Sequence, residues 1–123
     1  ILSTMFTNYT FLCSIERRVR VKVKYFVTRN GDSPFEEWFT KLDKPFKAIV
    51  VRSIQKVANG GSKKSIKSLK DGIFEIKIVV GPGYRIYFGY DGENIIILLV
   101  GGDKKTQGRD IIKAKKYWSN YGK

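Results

Sequence analysis

Gly81-Pro-Gly-Tyr-Arg-Ile-Tyr-Phe88, a turn at Asp91-Gly92, then Ile95-Ile-Ile-Leu-Leu-Val100 and Gly101-Gly-Asp-Lys-Lys-Thr106 form the stretch that decides the fold. Tyr84 to Tyr90 and Ile95 to Val100 are short runs of aromatic and β-branched residues between turn formers, which predicts two strands. Asp-Gly between them is a tight hairpin signal. Ile95 to Val100 is apolar at every position, so the strand needs cover on both faces and belongs at the centre of a sheet. Phe74 to Val80 reads as a further strand, joined to Tyr84 by the Gly81-Pro-Gly83 turn. Downstream, Asp103 is placed to cap a helix running to about Tyr121. Ile111, Ala114, Trp118 and Tyr121 then face inward, and Lys113, Lys115 and Lys116 outward.

Upstream of this meander lies a basic loop, Ser62 to Lys70, with Lys63, Lys64, Lys67 and Lys70 set among serines. Before it, Phe46, Ile49, Val50, Ile54 and Val57 recur at helical spacing, and Asn59-Gly60-Gly61 ends the helix. Asp43-Lys-Pro45 separates it from an earlier helix. That helix has Ser33 at its cap, Pro34 at its first position and an apolar stripe of Phe35, Trp38, Phe39 and Leu42. Two helices across so short a connection make a hairpin. Arg18 to Tyr25 alternates strictly, placing Val19, Val21, Val23 and Tyr25 on one face and Arg18, Arg20, Lys22 and Lys24 on the other, the pattern of a half-buried strand.

The order is strand, two helices, three strands, helix. It predicts an α+β fold: an antiparallel sheet with an N-terminal strand, a helical hairpin, a three-stranded meander and a C-terminal helix. Residues 16–123 read as one domain, and 1–15, which carry no charge, as a tail or extra strand.

Twenty-four basic against 11 acidic residues leave a formal charge of +13 on 123 residues. So large an excess points to a polyanionic partner, nucleic acid or an acidic protein surface. No basic amphipathic helix with a wide apolar face suggests a membrane. The chain has no histidine. That removes the serine triad, ribonucleases with a histidine acid–base pair, and zinc hydrolase motifs. Cys13 is a lone thiol, which excludes an internal disulfide and fits a reducing cytosol. The Gly81-Pro-Gly83 turn lacks the third glycine of a dinucleotide fingerprint, and Gly101-Gly-Asp-Lys-Lys-Thr lacks the Gly-Lys-Thr of a phosphate loop. The carboxylates Asp91, Glu93, Asp103 and Asp110 are scattered, whereas a two-metal nuclease needs them clustered.

The cations remain. Lys77 and Arg85 fall on neighbouring strands, and Lys104 and Lys105 open the last helix, with Arg109 one turn on. If Lys77 and Arg85 share a face, these charges and the helix N–H groups can converge on one phosphate.

Gly81-Pro-Gly-Tyr-Arg-Ile-Tyr-Phe88, Leu98-Leu-Val-Gly-Gly-Asp-Lys-Lys-Thr-Gln107 and Asp110-Ile-Ile-Lys-Ala-Lys-Lys116 together resemble the addiction-module killer proteins, the phage Gp49-like and HigB-like toxins of the RelE/ParE superfamily. Phe35-Glu-Glu-Trp38 and the approach to Gly72-Ile-Phe-Glu-Ile-Lys77 resemble the same family, so the likeness spans residues 20–118. It implies a RelE-like fold and a cytoplasmic toxin of a type II toxin–antitoxin operon, silenced by a cognate antitoxin protein through an acidic segment. The implied activity is a metal-independent endoribonuclease, an mRNA interferase acting often on the ribosome. The RNA 2′-hydroxyl attacks the adjacent phosphate, with no cofactor. A ParE-like inhibitor of DNA gyrase and a non-catalytic RNA-binding relative stay open as alternatives.

By that likeness Arg85 matches the strand arginine that binds the scissile phosphate. Lys77 matches approximately a basic residue that helps activate the 2′-hydroxyl. Lys104 or Lys105 stands near an arginine expected after the central strand. Apart from the likeness, Lys63, Lys64, Lys67 and Lys70 of the serine-rich loop, with Arg109, read either as contacts to RNA phosphates or as a solvated basic surface. Two departures are visible: Glu75 stands where RelE has another lysine, and no tyrosine opens the last helix, which leaves the general acid unassigned.

Overall fold

The structure, a computed structural model, describes residues 9–12, 20–61 and 63–122. Its elements are β1 (Tyr9–Leu12), β2 (Arg20–Tyr25), α1 (Pro34–Thr40), α2 (Lys44–Ala58), β3 (Ile66–Ser68), β4 (Ile73–Ile78), β5 (Tyr84–Tyr90), β6 (Ile95–Asp103) and α3 (Gln107–Asn120). The strands form one sheet in the order β1-β2-β6-β5-β4-β3. The α+β order is the expected one, with the helical hairpin on one face of the sheet and α3 on the other. No described helix is long and apolar enough to cross a membrane.

Two features depart from the expectation drawn from the sequence, and the strand in the tail meets one of its two alternatives. The sheet is mixed, because β2 runs parallel to β6, with Tyr25 opposite Leu98. β2 returns through the whole helical hairpin and meander before meeting β6, and that long connection permits a parallel pairing. Part of the tail is a strand, β1, antiparallel to β2. Part of the basic loop is also a strand: β3 pairs with β4, Lys67 opposite Glu75. Arg18 and Val19, assigned to the first strand, lie outside the described residues.

The alternation of β2 holds where it is described. Val21 and Val23 are buried against the hairpin with Phe35, Phe39, Val50 and Ile54. At Phe26 the pattern breaks, and that ring joins the α3 layer, stacked on Tyr117. The all-apolar run in β6 divides between the layers as a doubly covered strand must: Ile96 and Leu98 face the hairpin, Ile97 and Leu99 face α3.

A bulge then changes the phase of β6. Phe88 pairs with Leu98 but Tyr87 pairs with Val100, which leaves Leu99 extra. Beyond it the sides exchange. Gly101 lies under the Trp38 indole of α1, and Gly102, opposite Arg85, lies under the Asp110 carboxylate and Thr106 hydroxyl. A Cβ at either glycine would collide with those groups, so the Gly-Gly pair lets both layers close on the strand end.

Pro34 starts α1 as predicted, although the Ser33 hydroxyl makes no capping bond. Asp103 does cap: its Oδ1 accepts from Lys105 N at 2.8 Å and Thr106 N at 3.1 Å. The turn it caps is 3-10, Lys104–Thr106, and α3 follows from Gln107. Four residues beyond Thr106, Asp110 accepts the Thr106 hydroxyl, which ties the capped turn to the first turn of α3.

Candidate functional site

Lys77 and Arg85 are direct cross-strand partners in the β4–β5 ladder, so they share a face. It is the α3 face, and Arg85 pairs in turn with Gly102 of β6. One step along the strands, Lys67, Glu75, Tyr87 and Val100 make a second row on the same face. The shared face on which the expected convergence depends is therefore present, with Lys77 exposed and Arg85 buried.

Arg85 is 6% exposed, an unusual position for a guanidinium. Its Nη1 donates to the carbonyls of Gly83 at 3.2 Å and Tyr84 at 3.3 Å. Its Nε has no hydrogen-bond partner, and no carboxylate pairs with it among the described residues. Burial of a cation without an ion pair opposes folding by several kcal/mol, about as much as good cores gain from a few side chains. Gly83 lies between Arg85 and the turn after β6: a Cβ built on it would be 3.5 Å from Arg85 Nη1 and 3.6 Å from Lys104 Cβ. Gly83 has φ +77°, a conformation that side chains resist, and this carries the turn back over the arginine.

Glu75, Arg85 and Asp110 are the buried charged residues among those described, and all three belong to this side of the sheet. Glu75 is diagonal to Arg85 and accepts from Gln107 Nε2 at 2.9 Å, a bond that fastens the start of α3 to β4. Tyr87 pairs with Glu75 and is fully buried. Burial raises its pKa, and the nearby Glu75 carboxylate raises it further, so the phenol stays protonated. Its hydroxyl meets no partner at hydrogen-bonding geometry, although Glu75 is close enough to influence it. No group of histidine, cysteine and carboxylate side chains suited to a metal ion occurs among the described residues.

The other expected contacts spread out. Lys105 is exposed on the capped turn beside Lys104. Lys64, Lys67 and Lys70 are exposed along the β3 edge, and Lys63 begins the turn before it. Arg109 does not join Arg85. It lines a cavity of about 510 Å³ on the opposite flank of α3, with Trp38 and Lys113. Sequence reasoning did not select Tyr87 and Gln107 and dismissed Asp110 as scattered. Only the register and the approach of α3 bring them to Arg85. The available signal was Glu75, a lone acid in an otherwise apolar and basic strand.

A comparison with protein families bears on this site. The model of the phage-derived protein Gp49-like family matches residues 37–118, about two thirds of the chain. The chain belongs to that family. The match takes in every buried charged residue of the Gp49-like site, together with Lys77, Lys104 and Lys105. This Gp49-like chain is also similar to an uncharacterized protein of Haemophilus influenzae, 41% identical over 81 residues that cover 66% of this chain and 82% of the relative.

Proposed function

We propose that this protein is the toxin of a type II toxin–antitoxin pair and cleaves RNA. The observation that carries the reading is Arg85, a buried guanidinium without an ion pair among the described residues, whose cross-strand partner Lys77 is exposed and which pairs with Gly102 just before the turn that carries the exposed Lys104 and Lys105. A site that tolerates such a desolvated cation is suited to an anion that arrives from outside, and a phosphodiester fits a guanidinium fork.

The chemistry follows from the side chains present. Arg85 holds the non-bridging oxygens of the phosphate and stabilises the charge that grows on them as the 2′-oxygen attacks. The 2′-hydroxyl proton needs an acceptor. Lysine ammonium has no lone pair to offer, whereas the Glu75 carboxylate, steadied by Gln107, does. We therefore assign proton acceptance to Glu75 and leave Lys77 to donate to the phosphate or to the departing 5′-oxygen. The P–O5′ bond breaks as the 2′-O–P bond forms, giving a cyclic phosphate and a free 5′-hydroxyl. No histidine and no metal is needed for any of these steps.

Induced expression of the full chain tests the reading. The expected outcome is growth arrest with rapid loss of mRNA, and 2′,3′-cyclic phosphate ends on the fragments. DNA damage with intact mRNA would instead support a gyrase inhibitor and would overturn the assignment. Arrest with neither would leave a binding protein without cleavage.

A further inference from the structure

Tyr87 stands among the buried charges on the α3 face and has no part in the chemistry described so far. It pairs with Glu75 across the β4–β5 ladder and follows Arg85 by two residues on β5, so the three side chains leave the sheet on one side. Glu75 is 4% exposed, Arg85 6% and Tyr87 0%. The start of α3 closes over them with Gln107 and the buried Asp110. All three buried charges act on the phenol. After burial itself, Glu75 does most to raise its pKa, Asp110 adds to the rise and Arg85 opposes it. The hydroxyl end of the ring therefore lies among these groups.

That hydroxyl has no hydrogen-bond partner among the described residues. A buried hydroxyl left unpaired opposes folding, so its position calls for an acceptor. Glu75 has acceptor sites to spare. A carboxylate can accept about four hydrogen bonds, and the one found for Glu75 comes from Gln107 Nε2 at 2.9 Å. Glu75 is also near enough to act on the phenol through a hydrogen bond as well as through its charge, so alignment is what the pair lacks. Catalytic hydrogen bonds are often misaligned without substrate and tighten when it binds.

The neighbours of Glu75 differ in what they can do once it takes up a proton. A carboxylate only accepts hydrogen bonds, whereas a carboxylic acid has an O–H to donate. The Gln107 amide nitrogen and the diagonal Arg85 guanidinium donate in either state and accept in neither. A phenol hydroxyl serves both states by turning its O–H bond, with no heavy atom moved.

We propose that Tyr87 is a positioning residue for Glu75, donating to the carboxylate before the 2′-hydroxyl loses its proton and accepting from the carboxylic acid afterwards. The 2′-O–H bond breaks, its proton goes to a Glu75 oxygen, and the electron pair left on the 2′-oxygen forms the bond to phosphorus as the P–O5′ bond breaks. Tyr87 keeps its own proton throughout. The proposal rests on the RNA-cleaving reading and adds the group that holds its base in place through both protonation states.

Tyr87→Phe removes the hydroxyl and keeps the ring. Single-turnover cleavage of an RNA oligonucleotide is measured for the full wild-type chain, Tyr87→Phe, Glu75→Gln and the double variant, with thermal melting of the same preparations. Tyr87→Phe should cleave about 10- to 100-fold more slowly at saturation, the loss expected for a hydrogen bond to a charged group. Its half-saturating concentration should stay within about twofold of wild type, because no contact to RNA is lost. Its melting temperature should not fall, because an unpaired buried hydroxyl is removed. The double variant should be no slower than Glu75→Gln, because Tyr87 acts through Glu75. A saturated rate within about twofold of wild type would overturn the proposal, as would losses that multiply in the double variant. A loss carried by weaker RNA binding would also overturn it, and so would a lower melting temperature, which would make the hydroxyl a structural tie. A wild-type chain that leaves RNA intact would sink the cleavage reading itself, and Tyr87 with it. Every other outcome has an active wild type and judges Tyr87 alone.

Discussion

Replacing Arg85 with glutamine separates what this residue does for the reaction from what it does for the fold. Glutamine keeps part of the aliphatic stem and a polar end but removes the charge. In the folded chain the change deletes two long hydrogen bonds, to Gly83 and Tyr84 at 3.2 and 3.3 Å, worth about 1 kcal/mol each at such lengths. Against that, it removes the desolvation cost of a buried guanidinium with no carboxylate partner among the described residues, which is on the order of several kcal/mol. Stability should therefore stay within about 1 kcal/mol or rise, which for a domain of this size is a melting temperature at most roughly 4 °C lower. Activity should behave otherwise. In the role proposed for Arg85, losing this buried cation should cost on the order of 10²–10³ in rate, about 2.7–4 kcal/mol. Thermal melting and single-turnover cleavage of an RNA oligonucleotide, measured on the same preparation, read the two quantities separately. Full cleavage and full growth inhibition by Arg85→Gln would refute the role given to Arg85. A melting temperature lower by more than roughly 8 °C would show that the guanidinium is a structural tie, and the argument from its uncompensated burial would fail.

Other outcomes follow from the packing and the charges. Gly101→Ala drives a methyl into the Trp38 ring, and urea unfolding should show a loss of about 1–3 kcal/mol with altered tryptophan fluorescence. Gly108→Ala, in α3 with open space around it, should gain roughly 0.5–1 kcal/mol in the same assay. Asp71→Asn removes an exposed ion pair with Lys115, 3.5 Å long, and should change stability by less than about 1 kcal/mol. Burial, and then the hydrogen bond to Asp91, push the Tyr121 phenol up to about 12, and burial raises Tyr25, Tyr84 and Tyr87 as well. Each keeps its proton in the folded state at a pH where the unfolded chain has lost it. Their contribution is therefore complete below about pH 10 and lost as pH rises through 10 to 12 and beyond. Urea midpoints from pH 8 to 12 should be flat at first and then fall. A midpoint that rises across that window would contradict the assignment.

Much of the architecture is local and was therefore legible in the sequence. Period-two alternation in Lys22 to Tyr25, the helical stripe from Phe35 to Leu42, the Asp91-Gly92 turn and the fully apolar Ile95–Val100 are each dictated by neighbours within a few residues. Such signals survive without tertiary information, because the chain must bury those faces whatever else it does. The adjacency of the strands that carry Lys77 and Arg85 was legible for the same reason, because a short turn joins them, whereas the register that puts the two on one face came from the structure.

What the sequence by itself determined, then, is the set of elements, the two-faced burial of β6 and the cationic character of the site. Tertiary structure decided which side chains accompany Arg85. The parallel seat of β2 against β6 depends on elements some seventy residues apart. The bulge at Leu99 turns Gly102 toward Arg85 and Gly101 toward Trp38, and it appears in no local pattern, because Leu99 and Val100 are both plain apolar residues. Tyr87, Gln107 and Asp110 look ordinary one at a time. They reach the site because α3 folds back over the sheet with its first turn against β4, and a contact between residues 75 and 107 is a property of that packing and not of either segment. The cost of burying Glu75, Arg85 and Asp110 is likewise a tertiary quantity, since a charge is desolvated only when layers close over it.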